Sequence, residues 1–249
     1  MTTFSFDDLM TRAKADPDVL GIVLTGSKGR EGMATQHSDY DICLVVADGV
    51  RPDWQPVHSP ALDLWWTPLS KFRAYALPGE PEEWDRPAFV HIQVLFDRLG
   101  GGIAEIVQRK ATLTPVESRD LTAAAIGAYV NCAYRAAKNR RDGRSLAAHL
   151  DAADSLQYAL TVIFALHQRV RPFNKFLEWE LRRYPLPTPE WQADKLLPQL
   201  ENILCHDDRQ AQQHLFDTIE EVMRRAGWFD PVQDDWGPDL DLLRSPGRT

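Results

Sequence analysis

The chain has 249 residues, 44% of them hydrophobic and 26% charged, with a formal net charge of −8. These values exclude a mostly disordered chain, and no window approaches the roughly twenty apolar residues of a membrane helix. They predict a soluble, cytoplasmic protein. The acidic balance argues against nucleic acid as the main partner, because such binding draws on many phosphate-neutralising Lys and Arg side chains. Its three cysteines, Cys43, Cys132 and Cys205, lack Cys-x-x-Cys or Cys-x-x-His spacing and read as buried thiols, not as a zinc or redox site.

In chain order, Ser5 with Asp8 three residues later resembles a helix N-terminal box and opens a short helix to Ala15. Val19 to Thr25 is a β-branched apolar run, hence a buried strand, and it ends in Gly26-Ser27, a turn signal. Asp41 to Val46 is a second strand of the same kind. Pro, Gly and Asp residues make Asp48 to Pro60 a loop, and Leu62 to Trp66 is a third strand that carries one acid, Asp63. Leu69 to Ala76 reads as a short helix, Pro78 to Pro87 as a loop, Phe89 to Phe96 as a fourth strand, and Ile103 to Lys110 as a helix.

Beyond Pro115 the pattern becomes helical. A helix is expected from Ser118 to Arg141, stopped by Asp142-Gly143, and a long amphipathic one follows on Leu146, Leu150, Ala153, Leu156, Leu160, Ile163, Phe164 and His167. Thr188-Pro189 starts another helix, and Leu215, Ile219, Val222 and Met223 belong to a last one closed by Gly227. The tail from Asp230 reads as extended. The chain is therefore expected to be an α/β (α+β) protein with a mixed sheet and flanking helices over 1–115, followed by an α-helical bundle domain over 116–249.

Chemistry concentrates between residues 26 and 63. On an extended chain Asp39 and Asp41 project to the same side, so both can grip the same cations. Gly26 lets the backbone approach a phosphate closely, and the Ser27 hydroxyl and nearby amides can donate to it. Two Mg²⁺ ions about 3.5 to 4 Å apart need more oxygen ligands than one Asp pair supplies. Asp63, an acid inside an apolar run, is the candidate for the third carboxylate, with Asp97 as its competitor.

Gly26-Ser27, Asp39-x-Asp41 before an apolar strand, and Asp63 on a later strand together resemble the nucleotidyltransferase superfamily related to DNA polymerase β. With the helical half added, the layout is most similar to the antibiotic enzymes, the aminoglycoside and lincosamide adenylyltransferases. The resemblance implies Mg²⁺ as cofactor, two ions, and ATP or another NTP as co-substrate. It implies that Asp39 and Asp41 bind metal with the triphosphate, and that Asp63 is a metal ligand or the general base. Gly26, Ser27, Lys28, Arg30, Ser38 and, on the helical side, Lys138 would contact the nucleotide. By composition alone Lys28 and Arg30 are equally a solvated loop face, and Lys138 with Arg140, Arg141 and Arg144 a surface cluster.

The expected acceptor is a small molecule, cationic if acids line its site, bound by the helical domain of a monomer or homodimer. Alternatives are a protein or RNA-end acceptor, a non-catalytic nucleotide-binding module, and a structural protein in which the Asp pair is incidental. His149 and His167 fall on the helical apolar stripe and read as packed histidines, and Trp65, Trp66, Trp179 and Trp191 as core aromatics.

Overall fold

The structure, a computed structural model, describes residues 5–246. The chain divides into two units, Met1–Thr112 and Leu113–Thr249. Among the described residues no helix is long and apolar enough to cross a membrane.

The first unit opens with helix α1, Phe6–Ala15, where the Ser5 hydroxyl accepts from the Asp8 amide at 3.2 Å. Asp7 and Asp8 in its first turn and Arg12 and Lys14 in its last complement the helix dipole. Strands β1 (Val19–Leu24), β2 (Tyr40–Val46), β3 (Val57–His58), β4 (Leu62–Pro68) and β5 (Gln93–Asp97) form one sheet in the order β3-β4-β2-β1-β5. The β2 and β4 strands run parallel, and the other neighbours antiparallel. Helices α2 (Leu69–Ala74) and α3 (Gly102–Ala111) and a 3-10 stretch over Glu83–Phe89 complete the unit.

Strand alternation sorts the sheet into two dry faces. Ile22, Leu24, Ile42, Leu44, Val46, Leu62 and Leu64 share a core with Ala13 of α1. Val23, Cys43 and Val45 share the other with Phe72, Phe89, Ile103 and Val107. A Cβ at Gly21 would lie 2.7 Å from Ile103 Cγ1, so the missing side chain lets α3 sit close on β1.

The second unit is built from helices α4 (Pro115–Arg141), α5 (Ser145–Ala165), α6 (Leu177–Arg183), α7 (Ala193–His206), α8 (Arg209–Ala226) and α9 (Asp230–Trp236), with 3-10 turns between and after them. Gly227 closes α8 in the left-handed conformation, φ 71°. Phe164, Trp191, Leu196, Phe216, Ile219, Phe229 and Leu240 are among its buried core residues.

Several expectations are corrected. The α4 helix starts at Pro115, not Ser118, because Thr114 and Glu117 form a capping box with Pro at the first position. Val57–His58 lies within the expected loop but pairs with β4, and β5 starts only at Gln93 because Glu83–Phe89 coils into a 3-10 helix. Thr188-Pro189 opens a single 3-10 turn, and α7 follows it. Leu146 and Leu150 are exposed, whereas Leu156, Leu160, Ile163 and Phe164 of the same stripe are buried, together with small residues such as Ala148, Ala152, Ser155 and Ala159. Cys205 is exposed whereas Cys43 and Cys132 are buried. The tail is not extended up to residue 246: α9 and a 3-10 turn over Gly237–Leu242 bury Phe229, Val232, Leu240 and Leu243, while residues 247–249 lie outside the described part.

Candidate functional site

One end of the sheet gathers the motif residues of the first unit. The β1 strand ends there, and β2 and β4 begin there. Leu24 pairs with Ile42, and just beyond, the Thr25 amide donates to the Asp41 carbonyl at 2.9 Å. On the other side of β2, Asp41 is the Cα partner of Asp63 in the parallel ladder. Neighbouring strands lie about 4.8 Å apart, so the two carboxylates are borne side by side. Alternation sends them to one face, the face of Cys43 and Trp65. Both acids are partly exposed at the rim of that face, and Asp39, also half-buried, precedes β2 by one residue.

Gly26 packs directly under Asp41. Its φ is +60°, and a Cβ at this position would lie 1.7 Å from Asp41 Oδ2. Only glycine has both the conformation and the space required. The turn continues with the Gly29 amide donating to Thr25 O at 3.0 Å and the Arg30 amide to Ser27 O at 3.2 Å. Ser27 is buried in it, and a Cβ at Gly29 would lie 2.3 Å from Leu24 O, so this turn is tight at both glycines.

Lys28 is half-buried with its ammonium 3.9 Å over the ring of Tyr40, which stacks on Phe6 at 4.5 Å. Arg30 is not on a solvated loop face. It is 3% exposed, its Nη1 donates to Gly26 O at 2.8 Å, and its Nη2 donates to Pro87 O at 3.0 Å and Ala88 O at 3.2 Å. The Ser38 hydroxyl accepts from the Thr35 amide at 2.9 Å and so braces the loop ahead of Asp39. Lys138 belongs to the second unit, on α4, with its ammonium 5.1 Å from the Tyr134 ring.

Asp97 is at the far end of β5, paired with Gly21. Its carboxylate caps α3 by accepting from Leu99, Ile103 and Ala104 amides at 2.9, 3.0 and 3.1 Å. It serves as a helix cap, away from Asp41. His58, which no sequence signal marked, faces Asp63 across β3 and β4, with Nδ1 3.6 Å from Oδ1 and a side chain that is 92% exposed. At that exposure an ion pair with Asp63 contributes little to stability.

Behind the acids the same face is dry. Burial pushes the Cys43 thiol up to about 12. Lys110 of α3 is fully buried, its ammonium 5.2 Å from the Phe72 ring and 5.0 Å from that of Phe89, donating to the Tyr75 carbonyl. Burial lowers its pKa to about 8.

Among the described residues no group of three or more His, Cys, Asp and Glu side chains forms a ready-made metal cage. Magnesium is commonly held by one or two carboxylates plus substrate phosphates. Asp39, Asp41 and Asp63 offer oxygen donors only, suited to a hard cation, and the Asp41 carboxylate fills the space beside Gly26.

No protein-family model and no curated protein matches the chain. A solved structure described as a nucleotidyltransferase-like protein from Exiguobacterium sibiricum 255-15 is similar over 98% of this chain and 94% of its own, at 13% identity and a TM-score of 0.36.

Proposed function

We propose that this protein is a nucleotidyltransferase that moves a nucleoside monophosphate, AMP by preference, from an NTP to a hydroxyl of a small acceptor. The observation that carries this reading is the pairing of Asp41 with Asp63 in register, with the Asp41 carboxylate packed into the space that a side chain at Gly26 would take. Side-by-side carboxylates above a glycine turn suit a cation and a phosphate chain held together, and a purely structural sheet end has no need of them.

Asp39 and Asp41 would hold Mg²⁺ with the triphosphate, with Asp63 as a further ligand or as the base that takes the acceptor proton. When bound, Mg²⁺ would neutralise charge on the phosphoryl oxygens and on the leaving pyrophosphate. The acceptor oxygen forms a bond to the α-phosphorus as the bond from that phosphorus to the bridging oxygen breaks, and the hydroxyl proton passes to a carboxylate. Backbone amides of the Gly26-Ser27 turn would position the phosphates, since positioning and electrostatics supply most of the rate in phosphoryl transfer. The net charge of −8 favours a cationic acceptor such as an aminoglycoside, with a lincosamide as the neutral choice.

The test is pyrophosphate release from each of the four NTPs with Mg²⁺ across aminoglycosides and lincosamides, with wild type beside the double variant Asp39→Asn, Asp41→Asn. Acceptor-dependent release that the double variant lacks supports the reading. Mg²⁺-nucleotide binding without release points to another acceptor, a protein or RNA end included. Absence of both Mg²⁺-nucleotide binding and release overturns it.

A further inference from the structure

We propose that Arg30 is a positioning residue that holds the Gly26-Ser27 turn, and through it the seat of the Asp41 carboxylate, instead of contacting the triphosphate itself. The inference rests on the nucleotidyltransferase reading for its kinetic consequences, but its structural basis is independent of that reading.

A guanidinium cannot shed its proton in a protein, so at 3% exposure Arg30 must be satisfied by acceptors around it. Among its partners are three backbone carbonyls from two segments, Gly26 on one side and Pro87 and Ala88 on the other. The turn's own backbone bonds run from Gly29 to Thr25 and from Arg30 to Ser27. The Gly26 carbonyl is taken by the Arg30 side chain, which closes the turn from outside. Gly26 is also the residue on which the Asp41 carboxylate rests. Arg30 therefore links Gly26, against which the Asp41 carboxylate packs, to the 3-10 stretch over Glu83–Phe89. Gln93 adds a longer contact, its Nε2 donating to Gly29 O at 3.3 Å.

The forked geometry matters more than the charge. Its two terminal nitrogens engage different segments at once, whereas a lysine ammonium is a single point that cannot span both. A phosphate ligand behaves otherwise, since lysine keeps much of a point-charge contact. The matched control is Arg98, which clamps the opposite end of β1 by donating to Val19 O, Lys14 O and Asp16 O at 3.0, 2.9 and 3.1 Å.

The experiment uses the full chain as wild type, Arg30→Lys, Arg30→Gln and Arg98→Gln. Amide hydrogen exchange at Gly29 and Arg30 is read by NMR, and kcat and KM for Mg-ATP are read by pyrophosphate release. Both Arg30 variants are expected to speed exchange in the turn by about tenfold or more and to lower kcat by about tenfold or more, with KM changed less than about threefold. Arg98→Gln leaves turn exchange and kcat at wild-type values. In wild type, the Arg30 Nη signals are expected not to shift when Mg-ATP is added, a readout that needs no variant to fold. Wild-type kcat in Arg30→Lys, unchanged exchange in both Arg30 variants, or Nη signals that move with Mg-ATP would overturn the proposal. If wild type neither binds nor turns over any nucleotide, the functional reading fails, and the exchange data alone decide whether Arg30 holds the turn.

Discussion

Asp41 on β2 and Asp63 on β4 are Cα partners in a parallel ladder, two acids side by side at the start of their strands. Like charges directly opposite across strands are destabilising by about 0.2 to 1 kcal/mol. Asp63→Asn is therefore expected to raise the stability of the metal-free protein by that amount while removing nucleotidyl transfer. Urea unfolding without Mg²⁺, set beside the transfer assay, checks both halves. A variant that is less stable and fully active would show that the pair is structural.

Gly26→Ala separates backbone strain from steric contact when compared with Gly32→Ala. Both glycines have positive φ, +60° and +80°, but a Cβ at Gly26 would lie 1.7 Å from Asp41 Oδ2, whereas at Gly32 it would meet nothing within 4 Å. Each substitution is expected to cost about 1 to 2 kcal/mol from the left-handed backbone. Only Gly26→Ala should also lower transfer, by about a hundredfold or more, because it displaces a carboxylate. Equal losses of activity in the two variants would sink this distinction.

The buried Lys110 makes stability depend on pH. Its folded pKa, about 8, is below its ordinary value of 10.5. Between these values the unfolded chain holds a proton that the folded chain has released, so stability rises with pH from about 8 upward. Cys43 works the other way, but only above its ordinary value of 9.0, since burial raises it to about 12. The clean window is thus pH 8 to 9. Urea midpoints measured across it should rise for wild type more steeply than for Lys110→Met, and identical slopes would count against a buried, readily deprotonated amine.

Glu220 anchors the C-terminal segment. It accepts from Arg224 Nε and Nη2 at 2.9 and 2.7 Å and from Arg244 Nε and Nη2 at 3.0 and 2.9 Å. Burial opposes the Glu220 charge, but the bonds from the two arginines outweigh it and hold its pKa below 4.5. With the folded pKa depressed, this stabilisation is present above pH 4.5 and disappears as pH falls through the folded value. Arg244→Ala should cost about 3 kcal/mol and open the chain beyond Gly227 to protease. Limited proteolysis with mass spectrometry reads the cut, and a fully resistant tail would contradict the assignment.

Much of the local structure is legible in the residues. The apolar runs 19–25, 41–46 and 62–66 hold β1, β2 and β4, and Gly227 ends α8 where the periodicity stops. The Thr114-Pro115-Val116-Glu117 signal was equally readable and moves the start of α4. The tail misled because Asp, Pro and Gly describe its surface, while Phe229, Val232, Leu240 and Leu243, spaced irregularly, bind it to the core. Leu146 and Leu150 misled in the opposite sense, since periodicity marks a face without saying what covers it.

Around the candidate site the same division holds. A glycine turn after one strand and an acid pair before the next are properties of a few consecutive residues, set by backbone conformation and side-chain alternation, and the sequence by itself determined them. That Asp63 stands beside Asp41 depended on β4 choosing β2 as its parallel neighbour. That Asp97 caps α3, and that Arg30 binds carbonyls 57 and 58 residues away, depended on which segments pack together. Those choices belong to the tertiary structure, because burial and hydrogen bonding reward the joint placement of segments that no local pattern brings together.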